Sequence, residues 1–88
     1  MKAMPKITVY NKPFCPYCTR ALGLLATKGA EVTEVEAAFD PALRKEMLER
    51  SNGRATYPQI FIGDKYVGGC DELMALDRAG QLDLLLSA

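Results

Sequence analysis

The chain has no histidine and only three cysteines among its 88 residues. A structural zinc site asks for about four nitrogen or sulfur ligands, so Cys15, Cys18 and Cys70 alone do not complete one, and no metal site is expected. An odd number of cysteines also argues against a disulfide-stapled scaffold, which would spread paired cysteines along the sequence. Net charge is absent as well: 11 Lys and Arg offset 11 Asp and Glu. That balance removes the general electrostatic reason to expect nucleic acid or an anionic membrane as a partner. No apolar run is long enough to span a bilayer, and the opening Met-Lys-Ala-Met-Pro-Lys has no apolar stretch of signal-peptide length. A cytoplasmic protein is expected. What is present is ordinary for a globular protein, with 49% apolar and 25% charged residues. The length suits one domain over residues 1–88, whose core would hide roughly 60 to 65% of the surface of the unfolded chain.

Two of the few cysteines are clustered, in Cys15-Pro16-Tyr17-Cys18. Upstream, Ile7-Thr8-Val9-Tyr10 reads as a strand. Pro16 opens a helix, because proline at the first helical position gives up no hydrogen bond. Cys18, Leu22 and Leu25 recur at helical spacing and predict its apolar face, and Gly29 ends it with Lys28 in the last turn. Glu31 to Glu36 alternates around Val32 and Val35 as a second strand, so residues 6–36 have the length of a right-handed parallel crossover unit. Asp40-Pro41 is an N-cap followed by proline, starting a helix whose face is Leu43 and Met47 and which stops at Ser51-Asn52-Gly53. Ile60-Phe61-Ile62, a turn at Gly63-Asp64-Lys65, and Tyr66-Val67 predict an antiparallel hairpin. Gly68-Gly69 breaks the chain, Leu73 and Leu76 mark a third helix closed by Ala79-Gly80, and Leu82, Leu85 and Leu86 mark a short last one. The order predicts an α/β fold: a four-stranded mixed sheet with helices on both faces.

Two thiols three positions apart can make and break their own disulfide, and only the thiolate is nucleophilic. Cys15 stands at the helix start, where unpaired N–H groups and the positive end of the dipole favour an anion, and Lys12 adds a cation. Cys15 is therefore expected to attack. Cys18, one turn in on the apolar stripe, is expected to stay a neutral thiol and to resolve mixed disulfides. Helical side chains at i and i+3 have Cβ atoms about 5 to 6 Å apart, whereas a disulfide wants roughly 3.5 to 4.5 Å, so Cys15 must leave helical geometry.

Lys-Pro-Phe-Cys-Pro-Tyr-Cys at 12–18, Thr-Tyr-Pro-Gln-Ile-Phe-Ile at 56–62 and Gly-Gly-Cys-Asp-Glu-Leu at 68–73 together resemble the motifs of the small bacterial dithiol glutaredoxins, in order and spacing, over nearly the whole chain. The resemblance implies a thioredoxin-like fold with Pro58 as a cis-proline facing the dithiol, and glutathione as cosubstrate with no tightly bound cofactor. It also implies where the tripeptide binds. The backbone of Thr56 and Tyr57 would pair with it as an added strand, and Gly69 would allow close approach. The N–H groups of Cys70 and Asp71 would hold the γ-glutamyl carboxylate, with the Asp71 carboxylate on its ammonium. Lys12, with Arg54 as a second candidate, would face the glycyl carboxylate, and Tyr17 would pack beside the site. From the residues alone Asp71 reads equally well as an N-cap, Arg54 as a solvated charge and Cys70 as a small buried hydrophobe. Tyr57 stands where such proteins usually carry valine, which predicts a narrower groove.

The implied reaction is reduction of glutathione mixed disulfides by Cys15, and of protein disulfides by Cys15 and Cys18 together. The expected partners are glutathione and glutathionylated or disulfide-bearing proteins such as ribonucleotide reductase, served by a monomer. Thioredoxin itself is disfavoured because its usual tryptophan before the dithiol is missing; the chain has no tryptophan. The alternatives are a redoxin served by thioredoxin reductase, which the glutathione motifs disfavour, and a carrier of an iron-sulfur cluster bridged by two chains and two glutathiones, which Pro16 disfavours.

Overall fold

A computed structural model describes residues 5–87. The Met1 to Met4 opening, read above for a leader, lies outside the described residues. The elements follow in the order β1 (Ile7–Asn11), α1 (Pro16–Thr27), β2 (Val32–Glu36), α2 (Pro41–Arg50), β3 (Gln59–Ile62), β4 (Lys65–Gly68), α3 (Cys70–Arg78) and α4 (Gln81–Leu86). They build one four-stranded sheet in the order β2-β1-β3-β4. β1 runs parallel to β2 and antiparallel to β3, and β3 and β4 form the hairpin. Its turn is tighter than the sequence suggests: Ile62 pairs with Lys65, leaving only Gly63 and Asp64 between the strands, with Gly63 at φ +58°. Lys65 thus joins the strand.

Alternation along β1 and β3 divides the core between the two faces of the sheet. Ile7 and Val9 of β1, with Ile60 and Ile62 of β3, meet Ala21 and Leu25 of α1, Leu73 of α3, and Leu82 and Leu86 of α4. Tyr10 and Phe61 point to the other face, toward Ala37 and Met47. Helices therefore cover both faces. One detail of α1 departs from the expected stripe: its buried residues are Cys18, Ala21 and Leu25, whereas Leu22 is only partly buried. The small alanine sits among the sheet residues, and the larger leucine falls to the side.

Asp40 caps α2, its Oδ1 accepting from the N–H groups of Ala42 at 3.0 Å and Leu43 at 3.2 Å. Asp40→Ala leaves those amides without a protein partner and is expected to cost about 1 kcal/mol. A thermal melt should show a midpoint lower by about 4–8 °C, with most of it restored by Asp40→Asn.

Candidate active site at the dithiol

β1 delivers the chain to a loop that ends at Phe14, which takes φ +57° and is fully exposed. Cys15 follows in extended geometry (φ −104°, ψ 107°) as the N-cap of α1. Its sulfur occupies the place that Asp40 oxygen holds on α2, accepting from the Cys18 N–H at 3.2 Å. A donor that the start of a helix leaves open is thus aimed at the sulfur. The Cys15 carbonyl is fixed in turn by Thr19, whose N–H and hydroxyl donate to it at 3.0 and 3.2 Å. The departure from helical geometry that a Cys15–Cys18 disulfide requires is therefore built in.

Both thiols are buried, Cys15 to 5% and Cys18 to 3% exposure, so accessibility alone does not separate their roles. Their surroundings do. Burial, and then the hydrogen bond to Cys15, push the Cys18 thiol from 9.0 up to about 12, against the opposing pull of the Lys12 backbone N–H and ammonium. Folded protein holds that proton more tightly than the unfolded chain does. The associated stability is complete below pH 9.0 and is lost as pH rises toward about 12. In urea titrations of the reduced protein, the midpoint is expected to fall over that range more steeply than in Cys18→Ala. Parallel profiles would contradict the assignment.

Opposite the dithiol lies the segment Thr56-Tyr57-Pro58. The Tyr57–Pro58 peptide bond is cis, and the Tyr57 carbonyl oxygen stands 4.0 Å from the Cys15 sulfur. The Tyr57 ring packs with Val35, Leu43 and Leu48 against the cluster under α2. Lys12 approaches the same ring, its ammonium 5.8 Å from the centroid, a contact worth ~0.5–1 kcal/mol at an exposed site.

A third wall begins where β4 ends. Gly68 has φ +117°, and a Cβ there would fall 2.6 Å from Glu72 Oε1. Both its conformation and its neighbour call for glycine. Gly69 is the N-cap of α3, so Asp71 is not the cap but lies in the first turn. Glu72 Oε1 accepts from the Gly69 N–H at 2.9 Å and from Arg54 Nη1 at 2.9 Å. The Gly69 N–H, followed by the Arg54 guanidinium, holds the Glu72 carboxyl below its usual range.

The three walls enclose an open cleft of about 260 Å³ lined by Tyr17, Thr56, Tyr57, Pro58, Gly69, Cys70 and Asp71, together with Arg54 and Glu72. Cys15, Cys18 and Lys12 are not part of the lining; Cys15 reaches it at the Tyr57 carbonyl and Lys12 at the Tyr57 ring, with Cys18 behind Cys15. Arg54, read from the sequence as a solvated charge or a contact for the glycyl carboxylate, stands half-exposed on the rim and is paired with Glu72. Glu72 escaped the sequence reading, although a glutamate three residues after a helix cap is half of a capping box and could have drawn attention. Cys70 is buried at 4% exposure, and burial pushes its thiol upward.

A four-stranded mixed sheet flanked by helices, with a cis-proline loop against a dithiol that starts the first helix, defines a protein of the thioredoxin fold. The family is narrower. The sequence pattern of the glutaredoxin family matches residues 7–67, and the chain belongs to that family. A glutaredoxin of Pseudomonas aeruginosa is 52% identical over 85 residues, which cover 97% of this chain and 100% of that one. The solution structure of glutaredoxin from Brucella melitensis superposes with a TM-score of 0.83 at 56% identity, covering 98% of this chain and 92% of that one. A buckwheat glutaredoxin solved in complex with glutathione has a TM-score of 0.80 at 34% identity, covering 91% of this chain and 74% of that one. Membership is consistent with glutathione-dependent thiol oxidoreductase chemistry. Among the described residues no helix is long and apolar enough to cross a membrane.

Proposed function

We propose that this protein reduces glutathione mixed disulfides and protein disulfides through Cys15 and Cys18, with glutathione as reductant, acting as a monomer in the cytoplasm. The observation that carries the reading is the Cys15 sulfur, served by the Cys18 N–H at 3.2 Å and 4.0 Å from the carbonyl that ends a peptide-sized cleft. The buckwheat relative, solved with glutathione, supports the same ligand here. Extended along Thr56 and Tyr57, the tripeptide would bond to main chain as an added strand. Its γ-glutamyl carboxylate would meet the N–H groups of Cys70 and Asp71 at the start of α3. The Asp71 carboxylate would take its ammonium, Lys12 its glycyl carboxylate, and Tyr17 and Gly69 would border it.

In the first step the Cys15 thiolate attacks the glutathione sulfur of a mixed disulfide. A new S–S bond forms as the old one breaks, and the substrate leaves as thiolate and takes a proton from water. A second glutathione thiolate then attacks the glutathione sulfur on Cys15, giving oxidised glutathione and restoring the Cys15 thiolate. With a protein disulfide, such as one in ribonucleotide reductase, the Cys15 thiolate joins one partner sulfur as the partner's S–S bond breaks, and the other sulfur leaves as thiolate and takes a proton from water. Cys18 then loses its proton and displaces that sulfur, leaving the Cys15–Cys18 disulfide, and two glutathiones return the two electrons.

A coupled assay with glutathione, NADPH, glutathione reductase and a small glutathione mixed disulfide tests the proposal. Turnover there, with none from thioredoxin reductase, is the expected result. Turnover only with thioredoxin reductase, or a coloured anaerobic preparation with cluster absorption and no turnover, would overturn it.

A further inference from the structure

One buried amide beside the cleft has no part in the chemistry above. Gln59, the first residue of β3, is 0% exposed, and a buried glutamine needs partners for both its oxygen and its NH2 group. It finds them in two directions. Nε2 reaches back along the chain and donates to the Thr56 carbonyl at 2.7 Å and to the Thr56 hydroxyl at 2.8 Å. Oε1 accepts from the hydroxyl of Tyr66 on the edge strand β4. The Tyr66 ring is itself stacked on Phe61, with centroids 5.0 Å apart and planes at 28°.

Besides the packing of the Tyr57 ring and the burial of Pro58, the cleft segment depends on this amide for its hydrogen bonds. Outside the regular elements, the backbone hydrogen bonds among the described residues include none made by Ala55, Thr56, Tyr57 or Pro58. The main chain that an extended peptide would pair with is thus held by a side chain at the Thr56 carbonyl, and among the described residues the Tyr57 N–H has no backbone partner outside the regular elements. On the facing wall a second side-chain chain fixes the start of α3: Arg54 Nη1 donates to Glu72 Oε1, which also accepts from the Gly69 N–H.

We propose that Gln59 and Tyr66 are positioning residues: the Tyr66 hydroxyl orients the Gln59 amide, and that amide holds Thr56 so that the Tyr57 main chain faces the Cys15 sulfur and an incoming glutathionyl group. The assignment rests on the function proposed above. Neither residue touches the reacting sulfurs, so the effect falls on productive binding rather than on the nucleophile.

The test uses Gln59→Met, Tyr66→Phe and the double variant, with the glutathione mixed disulfide as varied substrate and iodoacetamide alkylation of Cys15 as a reaction that does not need the cleft. Gln59→Met is expected to raise KM about tenfold, the equivalent of one to two hydrogen bonds, with kcat and the alkylation rate within about twofold. Tyr66→Phe, which keeps the ring stack, is expected to raise KM by about threefold, and the double variant to match Gln59→Met alone. A folded Gln59→Met with unchanged KM, a KM and alkylation rate that shift together with the unfolded fraction, or additive effects in the double variant would each overturn the proposal. Backbone NMR order parameters at Thr56 and Tyr57 separate this from the function itself. They should fall in Gln59→Met whether or not the wild type turns over glutathione substrates, and unchanged values would overturn the positioning role.

Discussion

Cys15→Ser is expected to abolish every exchange reaction, and Cys18→Ser only those that pass through an intramolecular disulfide. The asymmetry follows from where the two sulfurs sit. Cys15 receives the Cys18 N–H at the opening of α1 and borders the cleft through the Tyr57 carbonyl, whereas Cys18 lies inside the first turn with its proton held up to about 12. A serine hydroxyl in place of the nucleophile cannot form the covalent intermediate, and losses on removing a nucleophile exceed about 10⁴-fold. Cys18→Ser keeps the backbone N–H that serves the Cys15 sulfur. Turnover of a small glutathione mixed disulfide should stay within about threefold of wild type, a change in barrier of less than about 1 kcal/mol. Reduction of a protein disulfide should fall toward background, because nothing displaces the mixed disulfide from within. The two substrates, run side by side in the coupled assay, separate these outcomes. Alkylation mapping at mildly acidic pH gives an independent reading, and labelling of Cys18 ahead of Cys15 would reverse the roles.

Local chemistry made much of this molecule legible before its structure. Prolines at the first position of α1 and α2, Asp40 before the latter, and glycines at Gly63 and Gly80 act within a few residues of themselves, and the elements start or turn where they stand. The dithiol is legible for the same reason, since cap, thiols and helix start lie within one turn. The rest depends on neighbours distant in sequence. Arg54 finds Glu72, and Tyr66 finds Gln59, only once β3, β4 and α3 have come together. No spacing along the chain distinguishes such a pair from solvated side chains. The choice of Ala21 over Leu22 for the buried line of α1 is set by how the helix lies on the sheet, and hydrophobicity alone points the other way. Tyr57 likewise sends its ring into the α2 side of the core, a direction that the motif does not encode.

That α2 side is the thinner of the two layers, and Met47→Ala is expected to show it. Met47 is the one fully buried residue of its helix, at 0% exposure. Truncating it removes the one fully buried of the α2 side chains that pack on Tyr10 and Phe61, the others being Leu43 and Leu48, and buried Met→Ala changes cost ~2–5 kcal/mol. A chain of this length has a total stability of roughly 4–13 kcal/mol, so the loss is a large share of the whole. The thermal midpoint should drop by roughly 10–30 °C, with the urea m-value unchanged if folding stays two-state. Met47→Leu, which conserves volume, should cost less than about 1.5 kcal/mol. The competing anchor is polar: Tyr10 donates to Glu46 Oε2 at 2.5 Å, Arg50 Nη1 donates to the Tyr10 hydroxyl at 2.7 Å, and the Arg50 guanidinium lies 4.1 Å from the Phe61 ring centroid. Glu46 and Arg50 are both largely exposed, where water competes for each bond and the net gain is small. The methionine should therefore dominate. A Met47→Ala loss below about 1 kcal/mol, together with a larger one for Tyr10→Phe, would show that the clasp rather than the side-chain burial fastens α2 to the sheet.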